Sequence, residues 1–195
     1  VPSVAEEIMV ARDTLLAQYT GGKLHFAHIS TAGAVELIRQ AKKFKIDLTA
    51  EVTPHHFSLY DEMIAEDFDP SLKMSPPLRS KDDARALIKG LVEGTIDCIA
   101  SDHAPHSPES KDVEFDLAPN GIIGLETSLG VCITYLVKKR HLNWKGLVRA
   151  MSTRPAEILG LEAGALKKGY AADITVIDPN KKWVVDPEKF RSKSR

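Results

Sequence analysis

The 195-residue chain predicts an α/β fold built on a parallel sheet, and three observations carry that expectation. Short apolar segments alternate with amphipathic segments of helical period. Polar residues recur where the apolar segments end: His28, then Glu51 and His55, then Ser75, then Asp102 and His106. No glycine-rich phosphate loop follows any of them, which argues against a doubly wound nucleotide-binding sheet. Chemistry gathered at the carboxyl ends of repeated strand–helix units is the layout of a β/α barrel. Four such units can be read from the sequence, whereas a closed barrel needs eight and roughly 250 residues. The expectation is therefore half a barrel.

The first element is a helix, since Ser3 and Glu6 have capping-box spacing and Ile8, Ala11 and Leu15 recur at helical intervals before Gly21-Gly22. Residues 24–29 read as a strand, Ser30-Thr31 as a cap, and Val35, Ile38 and Ala41 as the buried face of a second helix. A strand at 48–52 is closed by Thr53-Pro54-His55-His56, and a looser helical stretch at 59–64 leads to a predicted strand at 72–74. Ser80 and Asp83 start an amphipathic helix that turns Ala84, Leu87, Ile88 and Leu91 inward, ahead of a strand at 97–100. Residues 101–124 form a loop of a length that is usually functional. Helices are expected at 129–137, at 144–151 and from Thr153, where Pro155 sits in the first turn. Past residue 160 the pattern changes to two short strands, 172–179 and 183–186, joined by a Pro-Asn turn. That divides the chain into a barrel portion, 1–160, and a β segment, 161–195, whose basic tail from Lys189 is expected to fray.

A hydrophobic content of 43% is ample for a core. Lys and Arg number 26 against 27 Asp and Glu, and the net charge of -1 offers no footprint for nucleic acid or an anionic membrane. No window approaches the length of a membrane span, and the first residues carry no signal-like apolar run. Cys98 and Cys132 lie inside apolar runs without zinc-ribbon spacing, so buried reduced thiols and a cytoplasmic setting are expected. The chain opens on Val1 rather than Met, and the expectation is that it starts inside something longer.

Asp102-His103-Ala104-Pro105-His106 directly follows Cys98-Ile99-Ala100. A carboxylate and two imidazoles thus stand at the exit of a buried strand, where a rigid sheet can aim a metal ligand or a proton carrier. Taken alone, an Asp-His pair reads equally as a surface turn. His28, from the rim of another strand, completes an imidazole-plus-carboxylate set suited to zinc or a similar divalent ion. Two protein ligands do not fill a zinc site, so the others must come from elsewhere. His55 and His56, adjacent on what reads as extended chain, point in opposite directions and are assigned supporting roles. His25 and His141 read as structural, and Ser75 and Arg79 flank a rigid Pro76-Pro77 turn.

His28 with Ser30-Thr31, Glu51-Val52-Thr53-Pro54-His55-His56, Lys73-Met74-Ser75-Pro76-Pro77-Leu78-Arg79, Ser101-Asp102-His103-Ala104-Pro105-His106 and Gly121-Ile122-Ile123-Gly124-Leu125-Glu126-Thr127 resemble, in order, the bacterial class I dihydroorotase family of cyclic amidohydrolases. The resemblance implies a metal-dependent hydrolase on a TIM barrel, of which this chain would be the C-terminal half plus a short β segment. It implies interconversion of N-carbamoyl-L-aspartate and L-dihydroorotate in pyrimidine biosynthesis, with two zinc ions per full site. On that footing His28 would ligate zinc at the end of the fifth strand. Asp102, at the end of the eighth, would ligate zinc and carry the proton. Ser75, His106, Asn120 and Gly121 would contact substrate, the last two through backbone. The family usually has Asn where Ser75 stands, and an aromatic where Asn120 stands. Its His-x-His pair, bridging Asp and a further His ligand have no counterpart in this sequence, so the chain alone is expected to be inactive and prone to aggregate. A homodimer, or association with aspartate transcarbamoylase, is implied in the same way. Two alternatives stand beside this: an allantoinase or dihydropyrimidinase type of ring opener, and a non-catalytic dihydroorotase-like partner. Ala104-Pro105-His106 and the run 121–127 favour dihydroorotase over the first, and the retained His28, Asp102 and His106 count against the second.

Overall fold

A computed structural model describes residues 1–192 and 194. Helix α1 (Ser3–Thr20) leads into strand β1 (Leu24–Phe26), helix α2 (Ala32–Lys43) and strand β2 (Leu48–Val52). Helices α3 (Pro54–Ser58), α4 (Asp61–Asp67) and α5 (Lys81–Glu93) then precede strand β3 (Cys98–Ile99). The three strands are parallel and lie in the order β1-β2-β3, with Leu24 opposite Leu48 and Glu51 opposite Cys98. Parallel neighbours require crossovers, and the intervening helices supply them. Leu48, Ala50 and Val52 turn one sheet face into the core, where they meet Val35, Ile38 and Leu87. The other face carries His25, Thr49 and Glu51 and is partly open.

Local signals placed α2 and α5 as expected. Thr31 Oγ1 accepts the Ala34 N–H, and Ser80 Oγ accepts the Asp83 N–H. Ala34, Val35, Ile38 and Ala41 form the buried face of α2, and α5 buries Ala84, Leu87 and Leu91. The two helices touch closely at Gly90, where a Cβ would lie 2.9 Å from Val35 Cγ1.

α1 differs from its prediction. Its N-cap is Pro2, with no side-chain cap, and Glu6 reaches across to α2 instead of back to Ser3. The Glu6 carboxylate accepts the backbone N–H groups of Ser30 (2.9 Å) and Thr31 (3.1 Å) and the Ser30 hydroxyl. Arg79, which follows the Pro76-Pro77 turn, is buried; it lies 3.7 Å from the same carboxylate and donates to Ser30 Oγ at 3.1 Å. Glu6, Val10 and Ala17 share a helical face, so this tether turns Val10 and Ala17 inward. Ile8 and Leu15, whose helical spacing marked the element, are left 60% and 64% exposed.

The predicted strand at 72–74 does not form. A 3₁₀ turn, Pro70–Leu72, replaces it, with Asp69 accepting the Ser71 N–H at 2.8 Å. The Lys73 carbonyl bonds the Gly121 N–H, so this segment pairs with the long loop and β2 neighbours β3 directly. Within the loop lies helix α6 (Pro108–Lys111). Helix α7 (Ser128–Cys132) then runs into a π turn, Ile133–Val137. Helix α8 (Trp144–Val148) passes through a second π turn, Arg149–Thr153, into α9 (Arg154–Leu159). Pro155 has no N–H to give the helix, and the π turn absorbs that gap.

Beyond Leu159 no strand forms among the described residues. Stretches 172–179 and 183–186 have no neighbour to pair with, and Val176 and Val184 stand 92% and 86% exposed. The tail does not simply fray either: the N–H groups of Arg191 and Ser192 donate to Glu126 at 2.9 and 3.2 Å. Lys193 and Arg195, part of that tail, lie outside the described residues. Among the described residues no helix is long and apolar enough to cross a membrane.

Candidate active site

His28 leaves β1 and Asp102 leaves β3 in the left-handed region, at φ 39° and 46°. Holding a side-chain-bearing residue there costs of order 1–3 kcal/mol and is concentrated at functional sites. Neither residue commits its polar atoms. Among the described residues Asp102 forms no hydrogen bond or ion pair, and His28 Nδ1 is buried with no partner. A buried imidazole lone pair without a donor and a half-buried, unengaged carboxylate are groups that a divalent cation would satisfy. The donor set therefore fits a zinc-type ion.

His55 and His56 sit between these two positions, on a helix rather than on extended chain. Thr53 caps α3 by accepting the His56 N–H, and both imidazoles are buried. The His56 ring is fully satisfied: Nε2–H donates to the Pro76 carbonyl (2.9 Å) and Nδ1 accepts from the Thr53 hydroxyl (2.8 Å). Burial lowers its pKa to about 4, aided by His55, His28 and Arg79 and opposed by the Pro76 carbonyl. His55 Nε2–H donates to the Ile123 carbonyl at 3.1 Å, which leaves a buried, unpartnered Nδ1. Burial lowers the pKa of His55 as well, against the pull of Ile123 and Asp102. Asp102 thus acts on His55, and His28 on His56, along one continuous rim. Both supporting rings stay neutral, so neither would repel a bound cation.

The loop 101–124 is built rather than loose. His103 pairs with Ile122, and His103 Nδ1 accepts the Gly124 N–H at 3.1 Å. Lys111 Nζ donates to the carbonyls of Pro70 and Pro119, each at 2.9 Å. Gly121 has φ 149°, and a Cβ there would come within 2.7 Å of both the Ala104 carbonyl and His106 Nε2. His106 Nε2–H donates to the Asn120 carbonyl at 2.8 Å. Ser75 and Asn120 line one cavity of about 280 Å³ with Met74 and Phe115. The structure therefore gathers Ser75, His106, Asn120 and Gly121 into one neighbourhood. It also narrows their expected roles: the Asn120 carbonyl and the Gly121 N–H are engaged within the protein, the latter with Lys73 at 2.8 Å. Any backbone contact to a ligand falls to the Asn120 N–H and the Gly121 carbonyl.

One group escaped the sequence reading. His25, assigned a structural role, offers a ligand atom that lies with those of Glu51 and Cys98 within 4.8 Å of one another. The signal was strand register, which aligns three residues from distant parts of the chain on one sheet face. Both cysteines are free and buried as expected, and burial pushes each thiol up to about 12.

Residues 1–194 match the amidohydrolase family. The whole chain is 52% identical to the dihydroorotase of Anaeromyxobacter dehalogenans (strain 2CP-C), covering 45% of that protein. It is also 52% identical to the dihydroorotase of Acetivibrio thermocellus, covering 46% of it. The chain thus spans slightly less than half the length of the curated relatives it matches. Among solved structures it is similar to the L-hydantoinase (dihydropyrimidinase) of Arthrobacter aurescens: TM-score 0.92, 34% identity, 98% of this chain and 44% of that one. The dihydropyrimidinase of Brevibacillus agri NCHU1002 aligns at TM-score 0.83 and 26% identity, over 88% of this chain and 39% of that one. A family match spanning nearly every residue, together with folds and strand-end chemistry of this kind, makes the chain a member of the amidohydrolase family.

Proposed function

We propose that this chain supplies part of the active site of a dihydroorotase, which interconverts N-carbamoyl-L-aspartate and L-dihydroorotate. The observation that carries the reading is the pair His28 and Asp102, both held in left-handed backbone at parallel-strand ends with uncommitted side chains. The 52% identity to dihydroorotases, against 34% to the L-hydantoinase, favours this substrate over a hydantoin. The three parallel strands are read as an arc of a closed β/α barrel, whose carboxyl rim is where such sites are built.

His28 and Asp102 would hold zinc, in company with ligands from outside these residues. When bound, zinc supplies Lewis acidity that polarises the ring carbonyl and acidifies water. The Asp102 carboxylate accepts the proton that water loses as it adds to the carbonyl carbon. In the ring-opening direction Asp102 returns that proton to the departing amide nitrogen. His106, fixed through Nε2, presents its other edge to substrate, and the Ser75 hydroxyl offers one short polar contact at the cavity wall. Buried neutral His55 and His56 hold the rim in place without adding charge.

The test is turnover by zinc-loaded protein of the relatives' full length carrying these 195 residues. Asp102→Asn is expected to lower kcat at least about 100-fold. Equal activity in the two forms would remove the proton carrier from the scheme. Faster turnover of dihydrouracil or a hydantoin than of dihydroorotate would replace the substrate class.

A further inference from the structure

The geometry points to a second cation site, formed by His25, Glu51 and Cys98 on the open sheet face and suited to a borderline-soft divalent ion such as zinc or cobalt. It stands apart from the His28 and Asp102 pair and does not depend on the reaction proposed above.

Strand pairing creates it. His25 is the Cα partner of Thr49 and Glu51 the partner of Cys98, and Thr49 and Glu51 are two residues apart on β2. All four side chains therefore leave the same face of the sheet. His25 Nε2 lies 3.2 Å from Glu51 Oε2, close to the edge of about 3.3 Å between nitrogen and oxygen ligands in a tetrahedral zinc site. All three ligand atoms lie within 4.8 Å of one another, so an ion would draw the Cys98 sulfur towards the other two donors.

A second observation points the same way. His25 Nδ1 is fixed by Thr49 Oγ1 at 2.7 Å. A ligating histidine is characteristically oriented by such a partner on its other nitrogen. The donors are one imidazole nitrogen, one carboxylate oxygen and one sulfur, a set that selects zinc or cobalt over magnesium or calcium. His25 and Glu51 side chains are 32% and 21% exposed in this chain, which leaves room beside the three donors for a water as fourth ligand. The site lies within the sheet rather than past its end, since His25 and Cys98 are on β1 and β3 while His28 and Asp102 follow those strands. An ion there would tie β1, β2 and β3 together.

Cobalt(II) titration of the 195-residue chain tests this, because thiolate ligation produces a charge-transfer band in the near ultraviolet that the His28 and Asp102 pair cannot give. The expected result is one cobalt per chain with that band. It should vanish in Cys98→Ser, persist in Cys132→Ser, in His28→Ala and in Asp102→Asn, and require about tenfold more cobalt in Thr49→Val. His25→Ala, at an accessible position, gives the same readout should circular dichroism show Cys98→Ser to be unfolded. Cobalt uptake without the band, a band that survives loss of both Cys98 and His25, or no uptake at all overturns the site and leaves a hydrogen-bonded polar cluster.

Discussion

At His56 one proton is shared between structure and chemistry. Nε2 holds it against the Pro76 carbonyl, and Nδ1 takes the Thr53 hydroxyl. The pKa falls to about 4 in the folded chain, against 6.5 ordinarily. Between those values the unfolded chain binds the extra proton and the folded chain does not. Stability from this group is therefore complete above pH 6.5 and is lost as the pH falls towards 4, by about 3 kcal/mol. Urea midpoints at pH 7 and pH 4.5 should fall further in the wild type than in His56→Gln, and identical falls would contradict the assignment. Residue identity singled out His28, Asp102 and His106 as candidates, because carboxylate and imidazole at strand exits are informative by type; their roles belong to the proposal above. His25 and Glu51 were not legible as a pair, since only strand register brings them to 3.2 Å.

Helices whose signals are local matched their predictions, and segments whose bonds go far along the chain did not. Thr31 and Ser80 cap α2 and α5 through contacts three residues away. The stretch 72–74 reads as a strand from its own residues, yet the Lys73 carbonyl is claimed by Gly121, far along the chain. The orientation of α1 is set in the same non-local way by Glu6, Ser30 and Arg79. Glu6→Ala should destabilise the fold by about 3 kcal/mol, because it leaves the Arg79 guanidinium buried without its counter-charge. Hydrogen exchange should then accelerate first in the α1 amides, and uniform acceleration would show that α1 is not docked through this contact. The double replacement Glu6→Ala with Arg79→Leu should recover part of the loss.

A parallel sheet is ordinarily covered on both faces, and this one is covered on a single face. Ile8, Leu15, Val176 and Val184 add apolar surface open to water. In isolation the 195-residue chain should bind a hydrophobic dye and elute from size exclusion above its monomer mass of 21.4 kDa. A monodisperse monomer that leaves the dye dark would count against an uncovered face. The alternation of strands and helices, and so the α/β class, was readable from periodicity alone. The absence of the two strands expected beyond residue 160 was not, because an extended apolar run carries no mark of whether a neighbour is present to receive it. Lys111 works as a clasp in the rim region. Its ammonium donates to the carbonyls of Pro70 and Pro119, so one cation ties the long loop to the turn at 70–72. Removing that side chain would leave both carbonyls to find other donors.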